Sequence, residues 1–284
     1  MIHNNLTITE YQRRHRQAIN DLLFRNNRVH THLDWHDANT WLDTFDVPIR
    51  LAWHQDKLVG VMASSVPMGG TVWLRIVAIA DGISANPVLH TLWENMRESL
   101  KRIGVHTVAI LIINDWLDNY IPQLRFSYEE DIVTLKRSGK IIPEPPPHAI
   151  IIRDAERHEL RRITEVDQLA FTPPWQLLMQ DIRQAQRIAS TCTVAIHDQQ
   201  IIGYQLSTRY RQTGHLARLA VLPDTQGKGI GSILLDKMIR YFLDRRVHSV
   251  TVNTQSTNVR SQRLYERYGF RRNGYDLPVW MAST

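Results

Sequence analysis

The stretch Leu216-Ala-Arg-Leu-Ala-Val-Leu-Pro223-Asp-Thr-Gln226-Gly-Lys-Gly229-Ile-Gly231-Ser232 decides the fold of the second half of this 284-residue chain. Its first part is a short apolar run closed by Pro223, which reads as a buried strand stopping there. Downstream, Ile233, Leu234, Met238, Ile239, Phe242 and Leu243 recur at helical spacing, and Arg245 and Arg246 complement the dipole of the last turn. A strand leading through glycines into a helix makes an anion seat, because the first N–H groups of a helix lack partners and carry partial positive charge. Gly227, Gly229 and Gly231 let the backbone approach an anion with no Cβ in the way. Spacing excludes two common phosphate loops. A Walker A loop needs G-x-x-x-x-G-K-[ST], but Gly229 follows Gly227-Lys228; a G-x-G-x-x-G begun at Gly227 needs glycine where Ser232 stands.

A second element begins 32 residues after Gln226: Asn258-Val-Arg-Ser261-Gln-Arg-Leu264-Tyr265-Glu-Arg-Tyr268-Gly269-Phe270. Ser261, Leu264 and Tyr268 fall near one face of a short helix, and Gly269 stands where a left-handed C-cap ends it. Together the two elements resemble the Q/R-x-x-G-x-G/A and N-x-x-[AS]-x-x-L-Y-E-x-x-G-F signatures of the GNAT acetyltransferase superfamily. The resemblance implies acetyl-CoA as co-substrate, no metal, and direct attack on it, in a ternary complex, by a primary amine, either a protein N-terminus or a small molecule. It implies that Leu219, Ala220 and Val221 contact pantetheine and that the loop Gln226, Gly227, Lys228, Gly229, Ile230, Gly231 and Ser232 takes the pyrophosphate. Asn258 would bond the pantetheine arm or a bridging water, and Tyr265 would act as general acid. A phenol of pKa near ~10 suits that role, since it stays protonated at neutral pH and can donate to the departing thiolate. Backbone N–H near Val221, where the family's strands splay, is expected to face the oxyanion.

The general base is not carried over. At the two positions where relatives place a glutamate stand Arg218 and Asn253, neither of which can accept the proton; His215, or a water chain, is the remaining candidate. Arg260, Arg263, Arg267, Arg271 and Arg272 cluster around the second motif, either meeting the ribose phosphate or adenine end of CoA or forming a solvated face paired with Glu266. Ala170-Phe-Thr-Pro-Pro-Trp175 is similar to a stretch in relatives that acetylate protein N-termini, including those of ribosomal proteins. A catalytically weak CoA-binding sensor or scaffold is the alternative reading.

Charge places the anion partner in the same half. Residues 1–142 hold 15 basic and 15 acidic side chains and residues 143–284 hold 19 and 13, so the whole net charge of +6 lies in the second. A hydrophobic fraction of 43% and a charged fraction of 22% are those of a chain that buries a proper core. Met1-Ile-His-Asn-Asn-Leu shows no leader pattern and no run reaches the ~18 apolar residues of a membrane helix, so the expectation is a cytoplasmic monomer or homodimer that engages neither membrane nor nucleic acid. Cys192, the single cysteine, sits in the strand-like Thr191-Cys-Thr-Val-Ala-Ile and is assigned to packing.

The chain also resembles itself. Leu51-Ala-Trp-His-Gln-Asp-Lys-Leu-Val-Gly60 matches Val194-Ala-Ile-His-Asp-Gln-Gln-Ile-Ile-Gly203, Val105-His-Thr-Val-Ala matches Val247-His-Ser-Val-Thr, and Leu124-Arg-Phe126 falls near Tyr268-Gly-Phe270, in one order at nearly one offset. The expected architecture is α/β, with two GNAT-like domains in tandem, each a mixed and mostly antiparallel sheet flanked by helices. Residues 1–140 form the first, 141–148 a proline-rich linker and 149–284 the second, whose elements run from Ala149–Arg153 to Leu277–Met281. The first copy reads as degenerate: Ser84-Ala-Asn-Pro-Val-Leu89 stands in place of the glycine loop, no Leu-Tyr-Glu occurs near Asn119–Gln123, and its role would be to shape an acceptor cleft.

Overall fold

The computed structural model describes residues 6–44, 46–145, 147 and 149–284; the opening residues 1–5 and residues 146 and 148 of the proline-dense segment lie outside them. The chain divides into two compact units, one running to Glu130 and including Leu277–Thr284, the other Asp131–Asp276.

In the first unit, β1 (Thr7–Glu10) and α1 (Arg16–Arg25) lead to β2 (Arg28–Thr31), α2 (Ala38–Thr44), β3 (Ile49–His54), β4 (Lys57–Ser64), β5 (Thr71–Ile79), α3 (Ala85–Arg102), β6 (Thr107–Leu111) and the start of β7 (Ser127–Ser138). The sheet runs β1-β3-β4-β5-β6, with β2 on β5. α3 forms because Val88, Leu89, Leu92, Trp93, Met96 and Leu100 recur at helical spacing, and all six are buried in one core with Leu74, Val77 and Ile110. Each such side chain contributes ~1.5–3 kcal/mol when fully buried. Where the second motif would stand are only two 3-10 turns, Asp115–Leu117 and Pro122–Leu124. Pro122 supports such a start but cannot lie inside a longer helix.

The second unit takes the end of β7, then β8 (Ile151–Asp154), α4 (Leu160–Ala170), α5 (Met179–Ile188), β9 (Thr191–His197), β10 (Gln200–Tyr210), β11 (Thr213–Val221), α6 (Ile230–Asp244), β12 (Ser249–Gln255), α7 (Val259–Arg267) and the start of β13 (Arg271–Ser283). Its sheet runs β7-β12-β11-β10-β9-β8. Residues 132–138 pair antiparallel with the whole of β12, from Ile132↔Gln255 to Ser138↔Ser249, and Val133 and Leu135 enter the same core as Leu235, Met238 and Phe242 of α6. The strand expected to close this unit near Leu277–Met281 instead pairs with β6, from Val279↔Leu111 to Ser283↔Thr107. Both sides of β6 need hydrogen-bonding partners, since Val108–Leu111 are buried.

The ladders make the internal repeat explicit. The β4/β5 register skips Arg75 and the β10/β11 register skips Ala217, at an offset of 142. At that same offset the parallel ladders begin, at Thr71↔Thr107 and at Thr213↔Ser249. These two parallel pairs sit in otherwise antiparallel sheets among the described ladders.

Candidate functional site

β11 is paired with β10 through Val221, yet its parallel ladder with β12 ends at Leu216↔Val252. From Ala217 to Val221 its other edge meets no strand among the described residues. The N–H of Leu222 donates to Ile202 on β10, so by alternation the N–H groups of Leu219 and Val221 point to the open edge. That edge runs along a cavity of about 760 Å³ lined by Leu219, Ala220, Val221, Gln226, Gly227, Gly229, Ile230, Gly231, Ser232 and Asn258, together with Ala170, Phe171, Leu264 and three arginines. Gly227 and Gly229 have φ of 85° and 83°, the left-handed region that bulkier residues avoid, and Gly229 caps α6. Gln226 holds the turn: its Nε2 donates to the Val221 carbonyl at 2.9 Å and its Oε1 accepts from Arg260 at 2.7 Å. Lys228 is exposed and is not part of the wall.

On the far wall Asn258 caps α7, its Oδ1 accepting from the Ser261 N–H at 3.1 Å. Tyr265 is buried, 5% exposed, against Phe270, and its hydroxyl is bonded to Ser261. Burial pushes the phenol well up, with Arg218 and Ser261 pulling it partly back, so it remains a proton donor at neutral pH. His215 is partly buried near the start of β11. Its Nδ1 lies 2.9 Å from the Thr251 hydroxyl on β12, and burial lowers its pKa below the usual value. It is therefore neutral at pH 7. Neither Tyr265 nor His215 lines the cavity itself. Asn253 is exposed on β12, one residue past the ladder's end.

Arg218 has a role of another kind. Its Nε and an Nη hold Asp167 at 2.7 and 2.8 Å, the second nitrogen also donates to the Trp175 carbonyl at 2.6 Å, and the guanidinium lies 3.5 Å over the Phe171 ring. Asp167, completely buried, also accepts from the Tyr204 hydroxyl at 2.6 Å and the Leu177 N–H at 2.9 Å. Both Asp167 oxygens are answered, as a buried carboxylate requires. The network ties residues 171–177, and with them the Phe171 wall, to β11. The sequence contained a signal for it: Asp167 stands in the apolar stripe of Ile163 and Val166, near a helix C-terminus where a carboxylate is disfavoured unless a cation answers it.

The family model described as acetyltransferase (GNAT) family matches residues 160–270, the span holding the open strand edge, the glycine turn and α7. Residues 160–270 belong to the GNAT acetyltransferase family. The chain is an acyltransferase enzyme. It is similar to the [ribosomal protein bS18]-alanine N-acetyltransferase of Haemophilus influenzae, 29% identical over 45% of this chain and 89% of that one. An uncharacterized N-acetyltransferase of Methanocaldococcus jannaschii is 28% identical over 43% of this chain and 78% of its own length. Among solved structures, a tandem GNAT protein from the clavulanic acid biosynthesis pathway aligns over 98% of both chains with a TM-score of 0.63 at 13% identity. A probable N-acyltransferase of Enterococcus faecalis aligns over 99% of this chain and 73% of that one with a TM-score of 0.74 at 10% identity. These two show the fold.

The first GNAT-like unit closes the slot that the second keeps open. β2 lies antiparallel on β5, with Arg28↔Ile79, Val29↔Ala78, His30↔Val77 and Thr31↔Ile76, where β11 has its free edge. Below it, Arg75 bridges His32 and Asp34, 3.2 and 2.9 Å away. In the second unit Ala170, the last residue of α4, and Phe171 line the cavity, and no described ladder joins them to β11. The remaining arginines of the second motif divide. Arg271 donates to the Glu266 and Phe270 carbonyls and Arg272 pairs with Asp276, away from the cavity, whereas Arg260, Arg263 and Arg267 line it.

Proposed function

We propose that the second unit transfers the acetyl group of acetyl-CoA to the nitrogen of a primary amine, and that the first, its slot filled by β2, takes no donor. The free edge of β11, running through a glycine turn onto the N-terminus of α6, carries this reading. Leu219 and Val221 offer main-chain groups to which an extended pantetheine arm pairs as a strand would. The unpartnered N–H groups of α6 suit a diphosphate, which costs them no side-chain entropy to bind.

In this mechanism neutral His215 takes a proton from the acceptor ammonium, directly or through water, with the Thr251 hydroxyl fixing its Nδ1. Nitrogen attacks the thioester carbon, the C–N bond forms and the carbonyl oxygen takes up the charge; the C–S bond then breaks as Tyr265 gives its proton to sulfur, and the second proton of the attacking nitrogen passes through water to restore the tyrosine hydroxyl. The Val221 N–H is aimed at the oxygen that gains charge between those events. A protein N-terminus and a small amine both satisfy this chemistry; likeness of the 170–175 stretch to enzymes acting on protein N-termini favours the first, and a cytoplasmic setting goes with it. The test is thiol release from acetyl-CoA against a panel of N-terminal peptides and small amines. Turnover with an acceptor supports the reading, and CoA binding without release for any acceptor would make the protein a sensor. Gly229→Val supplies the control. A β-branched residue at φ 83° is strained and covers the first N–H groups of α6, so CoA binding by calorimetry should disappear while the thermal transition persists.

The base gives a second, independent check. Because burial lowers the His215 pKa, its proton-accepting form persists below pH 6.5, and the acid limb of kcat/KM should fall there. His215→Gln should reduce kcat/KM at pH 7 by roughly 10²-fold and remove that limb, with partial recovery at high pH as free amine accumulates. An acid limb unchanged in the variant would exclude His215.

A further inference from the structure

Two cations on the cavity wall have nothing to do in the protein itself. Arg263 and Arg267 line the cavity, and neither has a hydrogen-bond or ion-pair partner among the described residues. Arg260, one turn earlier on the same face of α7, is already committed to Gln226. No aspartate or glutamate lines this cavity. Side chains four residues apart on a helix are neighbours, ~6 Å along the axis, so the two guanidinium groups can close on one tetrahedral anion. Most other exposed cations nearby are answered: Arg272 by Asp276, Arg271 by two carbonyls, Arg240 by Asp236.

Coenzyme A presents two separate anionic groups. The pyrophosphate has its seat in the N–H groups of α6, which leaves the ribose 3′-phosphate, close to −2 at neutral pH, without a partner in the proposed pose. Resting on the proposed use of acetyl-CoA, the geometry points to Arg263 and Arg267 as the residues that bind the 3′-phosphate and so select coenzyme A over its dephospho form. Both are arginines, whose planar fork matches phosphate oxygens in a bidentate way that a flexible ammonium does not. Both side chains are exposed on α7, and the proposed transfer gives them no part in the chemistry, which makes them specificity residues.

The test needs no acceptor. Coenzyme A and dephospho-coenzyme A are titrated into the full-length chain by calorimetry at low and physiological salt, for the natural protein and for Arg263→Met, Arg267→Met and the double variant. The natural protein should bind coenzyme A ~10–100-fold more tightly than the dephospho form. The double variant should bring that ratio to within ~3-fold by weakening coenzyme A alone. Equal and measurable affinity of the natural protein for both ligands would overturn the assignment while leaving the donor reading intact. Equal weakening of both ligands in the variants would reduce the arginines to a general attractive field and also overturn it. If neither ligand binds the natural protein, the assignment and the donor reading fall together.

Discussion

Tyr265→Phe is expected to lower the rate of acetyl transfer by roughly 10²–10⁴-fold while leaving the affinity for coenzyme A within about twofold. The asymmetry follows from where the residue stands. Its ring packs in the core with Tyr268 and Phe270 and makes no part of the cavity wall, so phenylalanine keeps every apolar contact. Only the hydroxyl is lost, with its bond to Ser261, for a stability cost of about 1 kcal/mol. What disappears is the proton for sulfur, and a thiolate expelled without one must be stabilised by water instead. Single-turnover thiol release, where chemistry limits the rate, measures the effect, with calorimetry for the affinity. A variant that turns over at the natural rate in that assay would remove Tyr265 from the mechanism.

The second large effect concerns folding. A fragment of residues 149–276, cut after the proline-dense segment, should fail to fold, whereas 131–276 should unfold cooperatively and bind coenzyme A. Residues 132–138 are the only partner of β12 on that side among the described ladders, and they supply seven paired positions. Val133 and Leu135, 0% and 1% exposed, would leave a gap beneath α6. Arg137, also buried, would no longer donate to the carbonyls of Tyr268, Gly139 and Ile141, leaving the Tyr268 carbonyl at the end of α7 unanswered. Two lost aliphatic side chains alone amount to ~3–6 kcal/mol, comparable to the whole stability of a domain, before the raw edge of β12 is counted. Circular dichroism and a thermal scan of the two fragments decide it: a folded 149–276 would show that the strand is dispensable.

Much of the site was legible because its signals are local. A glycine that must take positive φ, a proline that ends a strand, and an asparagine that caps a helix three residues before a serine each act within one turn of chain, and Gly227, Gly229, Pro223 and Asn258 stand in those local roles. The alternation of Leu219 and Val221 could likewise be read, though not that the edge they share would be free. The place of Asp167 in an apolar stripe signalled that a cation must answer it, but not that Arg218, 51 positions on, would be that cation. His215 could be named as a base candidate from its place at the strand start, but its hydrogen bond to Thr251, 36 positions away on β12, could not be read.

By itself the sequence determined the two motifs, the internal repeat and the half of the chain that carries the excess positive charge, since each is written in residue types and short spacings. Only the tertiary structure decided which strands lie side by side. β2 fills one slot, Ala170 and Phe171 leave the other open, and the strands before the proline-dense segment and at the chain's end join the units they do. Apolar strands of similar composition are interchangeable in short-range terms, and their neighbours are chosen by which arrangement satisfies every backbone group and closes both cores at once.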